Sequence, residues 1–415
     1  MRIFLVSGFL ALLFAPALRA ERACSQMDLE AAVQRAKAVQ TELLTYKITD
    51  EIDEGVPAPL QAQIRAFKES LAALADTALQ CAPEDANPKP IETTLAKLLD
   101  ANKPVINEVY DPKKPPQLDH IYGDEIDVKV SAPANLPQVL LARISFGIEC
   151  GYDAMLLAYE LRHGHWQRML RWQSGNFDQI SGAFGDFFSY QVVPQKDSGS
   201  WLIAVAHGHP WCTSRWSGFD LDLIRPSTDN APQQVVFHKK AGYVRDTDPI
   251  MRIAPDGFQL RLETGSMDAI VMTRPVVYRY RVSGRQVVRV QPIALNGRDF
   301  VDEWLQSPWD ESKGWSAPSE LIELESAQKK IEKLRNSDPN AKEWPSLTYG
   351  PVRSCSDSPS HFQVDLDLEW LVNQQTRPDS PTFFQIQEGK NSFTMLSASG
   401  KPDPHCTGPD IMAHQ

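Results

Sequence analysis

The sequence contains none of the short motifs that would name a reaction. It has no G-x-S-x-G elbow for a nucleophilic serine, no phosphate-binding Gly-Lys loop and no dinucleotide fingerprint. It also has no His-Glu-x-x-His and no paired Cys-x-x-Cys. Catalytic groups assembled from distant positions leave no such trace, so these absences lower the expectation of an enzyme without abolishing it. There is no basic run either, and acidic side chains outnumber basic ones by 53 to 42. A nucleic-acid or anionic-membrane partner needs a concentrated basic surface, so this balance argues against both.

Long apolar runs are equally scarce, and the one that exists lies at the start. Met1-Arg2 precedes the apolar stretch Ile3 to Phe14, followed by Ala15-Pro16-Ala17 and Leu18-Arg19-Ala20. A short basic end, an apolar segment of about a dozen residues and small residues at the cleavage points form a secretory signal of bacterial type. An uncleaved anchor fits less well, because a span needs ~20 apolar residues and Gly8 and Pro16 interrupt this one. The residues ahead of Cys24, Glu21-Arg22-Ala23, lack the apolar side chain expected before a lipidated cysteine. Residues 1–20 therefore read as a signal peptide. Its removal takes Arg2 and Arg19 away and leaves 40 basic against 53 acidic side chains, a net charge of −13. The expected address is periplasmic or secreted, with no stable membrane span in the mature chain.

Six cysteines remain: Cys24, Cys81, Cys150, Cys212, Cys355 and Cys406. An even number in an exported chain points to disulfides, although spacing alone leaves many connectivities open. Ser25-Gln26-Met27-Asp28 reads as a capping box. A helix follows, carrying Leu29, Val33, Ala36, Val39 and Leu43. A second helix from about Pro59 places Leu60, Ile64, Phe67, Leu71, Leu74 and Ala78 on one stripe. Packed as a hairpin, the two bring Cys24 and Cys81 to the same end, which makes Cys24–Cys81 the best-supported bridge. Sequence proximity adds Cys150–Cys212 and Cys355–Cys406, each closing a loop worth roughly 4 kcal/mol by chain entropy.

About 395 mature residues exceed what one core usually serves, so two or three domains are expected. The pattern divides into a helical domain at 21–105, completed by a short helix from Pro90 to Asp100, and a β-rich domain at 119–298. A helical connector at 299–345 and a small β domain at 346–415 follow. Residues 102–118, rich in Pro and Lys, read as a linker. In the β-rich part, Ile126, Val128 and Val130 alternate with polar residues, and Val139 to Phe146 is a more buried run. Hairpins are expected around Arg162-His163-Gly164-His165, Asp256-Gly257 and Ser283-Gly284, with glycine supplying positive φ. The first and last of these hairpins resemble each other, as repeated antiparallel units would. The predicted class is thus α+β and multidomain: a helical hairpin, a central antiparallel β-rich domain (propeller-like or a sandwich), then a helix and a small sheet.

Three groups of residues could carry chemistry. His207-Gly208-His209-Pro210-Trp211-Cys212 places two imidazoles on one side of an extended chain, and His163 or His165 could supply a third ligand for zinc. A structural turn beside a disulfide explains the segment more simply, and a bonded Cys212 cannot ligate. Trp166, Trp172, Trp201, Trp211 and Trp216 fall within one short stretch. Exposed rings there would bind a glycan or peptide, and buried ones would be core; Trp166 and Trp172 are expected on one strand face. Asp365, Asp367 and Glu369 could be paired glycosidase carboxylates, but like Asp220 and Asp222 they alternate with apolar residues as a solvated strand surface would. The reading reached is a non-enzymatic exported binding or structural protein without a cofactor. The competing readings are a metal-assisted hydrolase using His207 and His209, and a glycan- or peptide-binding module using the tryptophans.

Overall fold

A computed structural model describes residues 26–46, 56, 58–101, 122–148, 151–174, 187–195, 201–209, 215–229, 231–245, 247–254, 256–284, 286–291, 293–336, 343–372, 375–390 and 392–412. The expected signal peptide, Ser25 of the capping box, the 102–118 linker, and Cys24, Cys150, Trp211 and Cys212 lie outside them. The fold is α+β with antiparallel sheets, as the sequence pattern predicts.

Three helices come first: α1 (Gln26–Leu44), α2 (Ala58–Gln80) and α3 (Pro88–Ala101). The predicted stripe of α2 is buried at Leu60, Ile64, Phe67, Leu71 and Leu74, and Ala78 at its end is half-buried. It packs against a four-stranded meander of β1 (Asp127–Ser131), β2 (Val139–Ile148), β3 (Gly151–Arg162) and β4 (His165–Gln173). Helices and sheet share one core: Leu140, Ala142, Ile144 and Phe146 of β2 meet Leu60, Phe67 and Leu71 of α2.

A second meander follows: β5 (Phe188–Pro194), β6 (Trp201–Gly208), β7 (Trp216–Arg225) and β8 (Gln234–Val244). The third is β9 (Ile250–Ala254), β10 (Gly257–Gly265), β11 (Thr273–Ser283) and β12 (Gln286–Arg289). The odd residues of β2 and the even ones of β3 (Val139, Leu141, Leu156, Ala158) face Trp201, Ile203 and Val205 of β6. The alternate residues Leu202, Ala204 and Ala206 face Phe258, Leu260 and Tyr278 of the third sheet. Both faces of the second sheet are therefore covered, and β6 is buried along its whole length. That is why β2 and β6 read as continuous apolar runs rather than alternating ones.

The β3–β4 turn has left-handed φ at both His163 (51°) and Gly164 (81°), and Gly284 has φ 58°. These two hairpins use the turn chemistry expected of them. Gly257 does not. It opens β10 with ordinary φ, and a Cβ there would fall on the Tyr280 carbonyl oxygen, so close backbone approach is what requires glycine.

Beyond the third sheet come α4 (Gly297–Gln306), α5 (Trp309–Ser312) and α6 (Leu321–Arg335), then a last sheet. Its path is β13 (Glu343–Cys355), β14 (Ser358–Val372), β16 (Thr382–Glu388) and β17 (Phe393–Ser399), with β15 (Gln375–Pro378) beside β14. Phe300, Val301 and Trp304 of α4 and Leu324 and Ile331 of α6 form its core with Val364, Leu366, Phe384 and Met395. Glu325 and Lys329 pair at 2.6 Å on the wet side of α6. Cys355 and Cys406 are bonded, as expected, and Cys81 is disulfide-bonded too, to a partner outside the described residues. Such bonds are compatible with an oxidising compartment. Among the described residues no helix is long and apolar enough to cross a membrane.

Two ion-pair clusters stitch these layers together. Lys68, fully buried on α2, reaches Asp153 Oδ2 of β3 at 2.9 Å and the Ser174 carbonyl at 2.9 Å. Burial lowers its pKa, against the opposing pull of Asp153. In the second cluster Glu303 of α4 sits between Arg274 and Arg289, at 2.5 Å from each. Arg274 also pairs with Asp302 at 3.0 Å, and Arg289 with Glu311 at 3.3 Å. The Arg289 guanidinium lies over the rings of Tyr278 (4.6 Å) and Trp315 (5.1 Å). Burial alone would raise Glu303, but the Arg289 and Arg274 charges outweigh it and hold the carboxyl at about 2.

Candidate functional site

The candidate residues separate into two places, and a bulge in β4 accounts for the more open one. Ala158 pairs with Leu170 while its neighbour Tyr159 pairs with Arg168, so Met169 is an extra residue in the edge strand. A bulge reverses the side-chain alternation on either side of it. Trp166 consequently joins the core under the helices and Trp172 the core under the second sheet, on opposite faces rather than the one face expected from their even spacing. The same bulge turns Arg168 and Arg171, three residues apart, toward α2. Arg168 Nη1 meets Asp76 Oδ2 at 2.7 Å and Arg171 Nη1 meets Glu69 Oε2 at 2.5 Å.

Between α2 and the β3–β4 hairpin lies an open cavity of about 430 Å³, lined by Asp76, Gln80, Tyr159, His165, Trp166, Gln167 and Arg168. Asp76 and Gln80 are one helical turn apart and so share a face of α2. Tyr159 donates to Asp76 Oδ1 at 2.8 Å. Burial, and then the Asp76 charge, raise this phenol well above its ordinary pKa, so it stays a neutral donor. Burial also raises the Asp76 carboxyl, although Arg168 and Tyr159 oppose the shift. The Trp166 indole donates to the Pro83 carbonyl at 3.0 Å, which fixes the ring in the wall. The cavity is thus made on a helix and two strands, with Asp76, Tyr159, Trp166 and Arg168 held in place by partners.

The second place is the end of β6 and β7. His207 is the cross-strand partner of Asp220, and His209 Nε2 lies 2.7 Å from Asp220 Oδ2. Both histidines reach the same side of the sheet, as their spacing predicts. The His207 ring is buried between those of Trp172 (5.3 Å) and Phe188 (5.7 Å). Asp222 accepts from Trp172 Nε1 at 3.0 Å and pairs with His238 Nδ1 at 2.7 Å. Asp220 and Asp222 are therefore half-buried hydrogen-bond partners, not the solvated surface that alternation suggests. Burial alone would raise the Asp220 carboxyl; the His209 hydrogen bond and charge bring it below its usual range.

His163 and His165 do not join this group. They sit at the hairpin end of β4, His165 seven residues and ~23 Å of strand away from Trp172 and His163 in the turn beyond it. Among the described residues no three His, Cys, Asp or Glu side chains are arranged to hold a metal ion. The tryptophans are likewise dispersed: Trp166, Trp172 and Trp201 are core, and Trp216 is half exposed with Arg215 over its ring at 5.9 Å. Asp365 is half-buried and bonded to Gln363 at 2.7 Å, and Asp367 is exposed. Asp76 and Arg168 carry no local signal, being 92 residues apart. Lys68 does carry one, since a lysine between Ile64 and Leu71 falls on the apolar stripe of α2. Comparison with protein families, with curated proteins and with solved structures finds no match.

Proposed function

We propose that this chain is an exported, non-enzymatic binding protein, addressed to the periplasm or beyond, which holds its ligand in the cavity between α2 and the β3–β4 hairpin. The observation that carries this reading is the cavity itself: about 430 Å³, open to solvent, floored by the buried Trp166 and Tyr159 and rimmed by several hydrogen-bonding side chains. Its size lies in the range of small-molecule sites, and such sites combine apolar walls with a few fixed polar groups. The alternative hydrolase reading, on His207 and His209, draws less support, because His209 is spent on Asp220 and His207 is buried between Trp172 and Phe188. The central sheets we read as a short, open propeller-like array rather than a two-sheet sandwich. Three consecutive four-stranded meanders, the middle one buried on both faces, support that reading.

The test is a binding screen of the mature protein against glycan and peptide arrays, run beside Arg168→Glu. Charge reversal next to Asp76 puts two carboxylates where an ion pair stood. Binding to the wild type that falls at least tenfold in the variant is expected. Equal binding by both proteins would remove the cavity from the account.

A further inference from the structure

From the chemistry of this cavity we infer that its ligand is a neutral sugar, a mono- to trisaccharide, and not an anion or a peptide. The inference rests on the cavity being the binding site. Asp76 and Arg168 are the charged pair in its lining, and their charges cancel. What remains is a set of fixed acceptors and donors side by side. Each Asp76 oxygen already accepts one hydrogen bond, from Tyr159 or Arg168, and has a lone pair left for another. A guanidinium has five N–H groups, and one Arg168 contact to Asp76 leaves donors over. The Gln80 amide, one turn along α2, both donates and accepts.

A sugar hydroxyl donates one hydrogen bond and accepts others, so vicinal hydroxyls match neighbouring carboxylate and guanidinium groups. Trp166 and Tyr159 are buried beneath these groups and close the floor of the cavity, so recognition falls to the polar side chains around it. An anion would find no net positive charge in this lining, on a chain with a surplus of acidic groups. An extended peptide would need the free edge of β4. Beyond the cavity that edge is taken: Gln233 bonds both the N–H and the carbonyl of Arg171 at 2.7 Å, and Ser227 N–H donates to the Met169 carbonyl at 2.7 Å. With those groups occupied, strand addition cannot run on past Arg168.

The experiment is calorimetric titration of the mature protein with malto-, cello-, manno- and chitotriose, with a glucuronate-containing trisaccharide and with tripeptides. Asp76→Asn and Gln80→Ala are run in parallel; Gln80 is exposed, so its loss leaves the fold intact. At least one neutral trisaccharide should bind, about 10- to 100-fold more weakly in Asp76→Asn, the factor for losing a hydrogen bond to a charged group. Gln80→Ala should weaken it in the same direction. Binding only of the acidic sugar or of peptides, weakened by these substitutions, would overturn the sugar assignment and leave the site standing. Sugar binding indifferent to both substitutions would overturn site and assignment together. Silence of the whole panel would overturn the sugar assignment.

Discussion

Glu303→Gln is expected to destabilise the protein by about 3–5 kcal/mol, read as a lower urea midpoint at unchanged slope. Glutamine keeps the shape of the side chain but removes the charge between Arg274 and Arg289, both nearly inaccessible to solvent. Two guanidiniums then remain in the interior with Asp302 and Glu311 as their counter-charges. The effect has a pH signature with a definite sign. Glu303 titrates at about 2 in the folded chain, below the ordinary glutamate value of 4.5. Its contribution is therefore complete above the unfolded pKa and lost as pH falls through the folded one. Between about pH 4.5 and 2 the wild type should lose stability more steeply than Glu303→Gln. Parallel acid profiles for the two proteins would contradict the assignment.

Lys68→Met should cost a similar amount, about 3–5 kcal/mol, because it strands the Asp153 carboxylate in the core between α2 and β3. The double variant Lys68→Met/Asp153→Leu should recover most of that loss. Two apolar side chains of comparable volume need no solvation, and a buried pair often contributes little beyond the cost of breaking it. Ser174, whose hydroxyl bonds Asp153 and whose carbonyl accepts from Lys68, loses those partners in the double variant, so recovery should stop short of complete. A double-mutant cycle gives the coupling directly. Additive losses in the two single variants would mean that the pair does not act as a unit.

The parts of the fold that were legible in the sequence are those set by local periodicity. The α2 stripe, the hairpin at His163-Gly164 and the alternation of β14 follow from spacing and turn chemistry, which act over a few residues. What the sequence obscured was decided by tertiary context. Nothing in Arg168-Met169-Leu170 announces a bulge, yet that one extra residue places Trp166 and Trp172 on opposite faces and aims Arg168 at α2. Strand β13 is hidden by Pro345 and by Gly350-Pro351; the register shift between Tyr349 and Val352 is where the ladder absorbs the latter. Asp220 and Asp222 alternate like a wet surface, but the sheet packed against them supplies Trp172, and β8 supplies His238.

The candidate cavity was legible only in fragments. His165 and Trp166 attracted attention for reasons, zinc and exposed aromatic rings, that their surroundings do not support. Asp76 sits on the polar side of a helix that looked self-contained. Its partners Tyr159 and Arg168 come from two strands that only the folded chain brings beside it.

The most direct test of the binding site is the indole NMR spectrum of ¹⁵N-tryptophan-labelled mature protein, titrated with the sugar and peptide panel. The Trp166 signal should move saturably with the ligand that binds, while those of Trp304 and Trp315, in the core of the last sheet, stay in place. A saturable titration that shifts Trp216 or Trp344 and leaves Trp166 still would contradict the account.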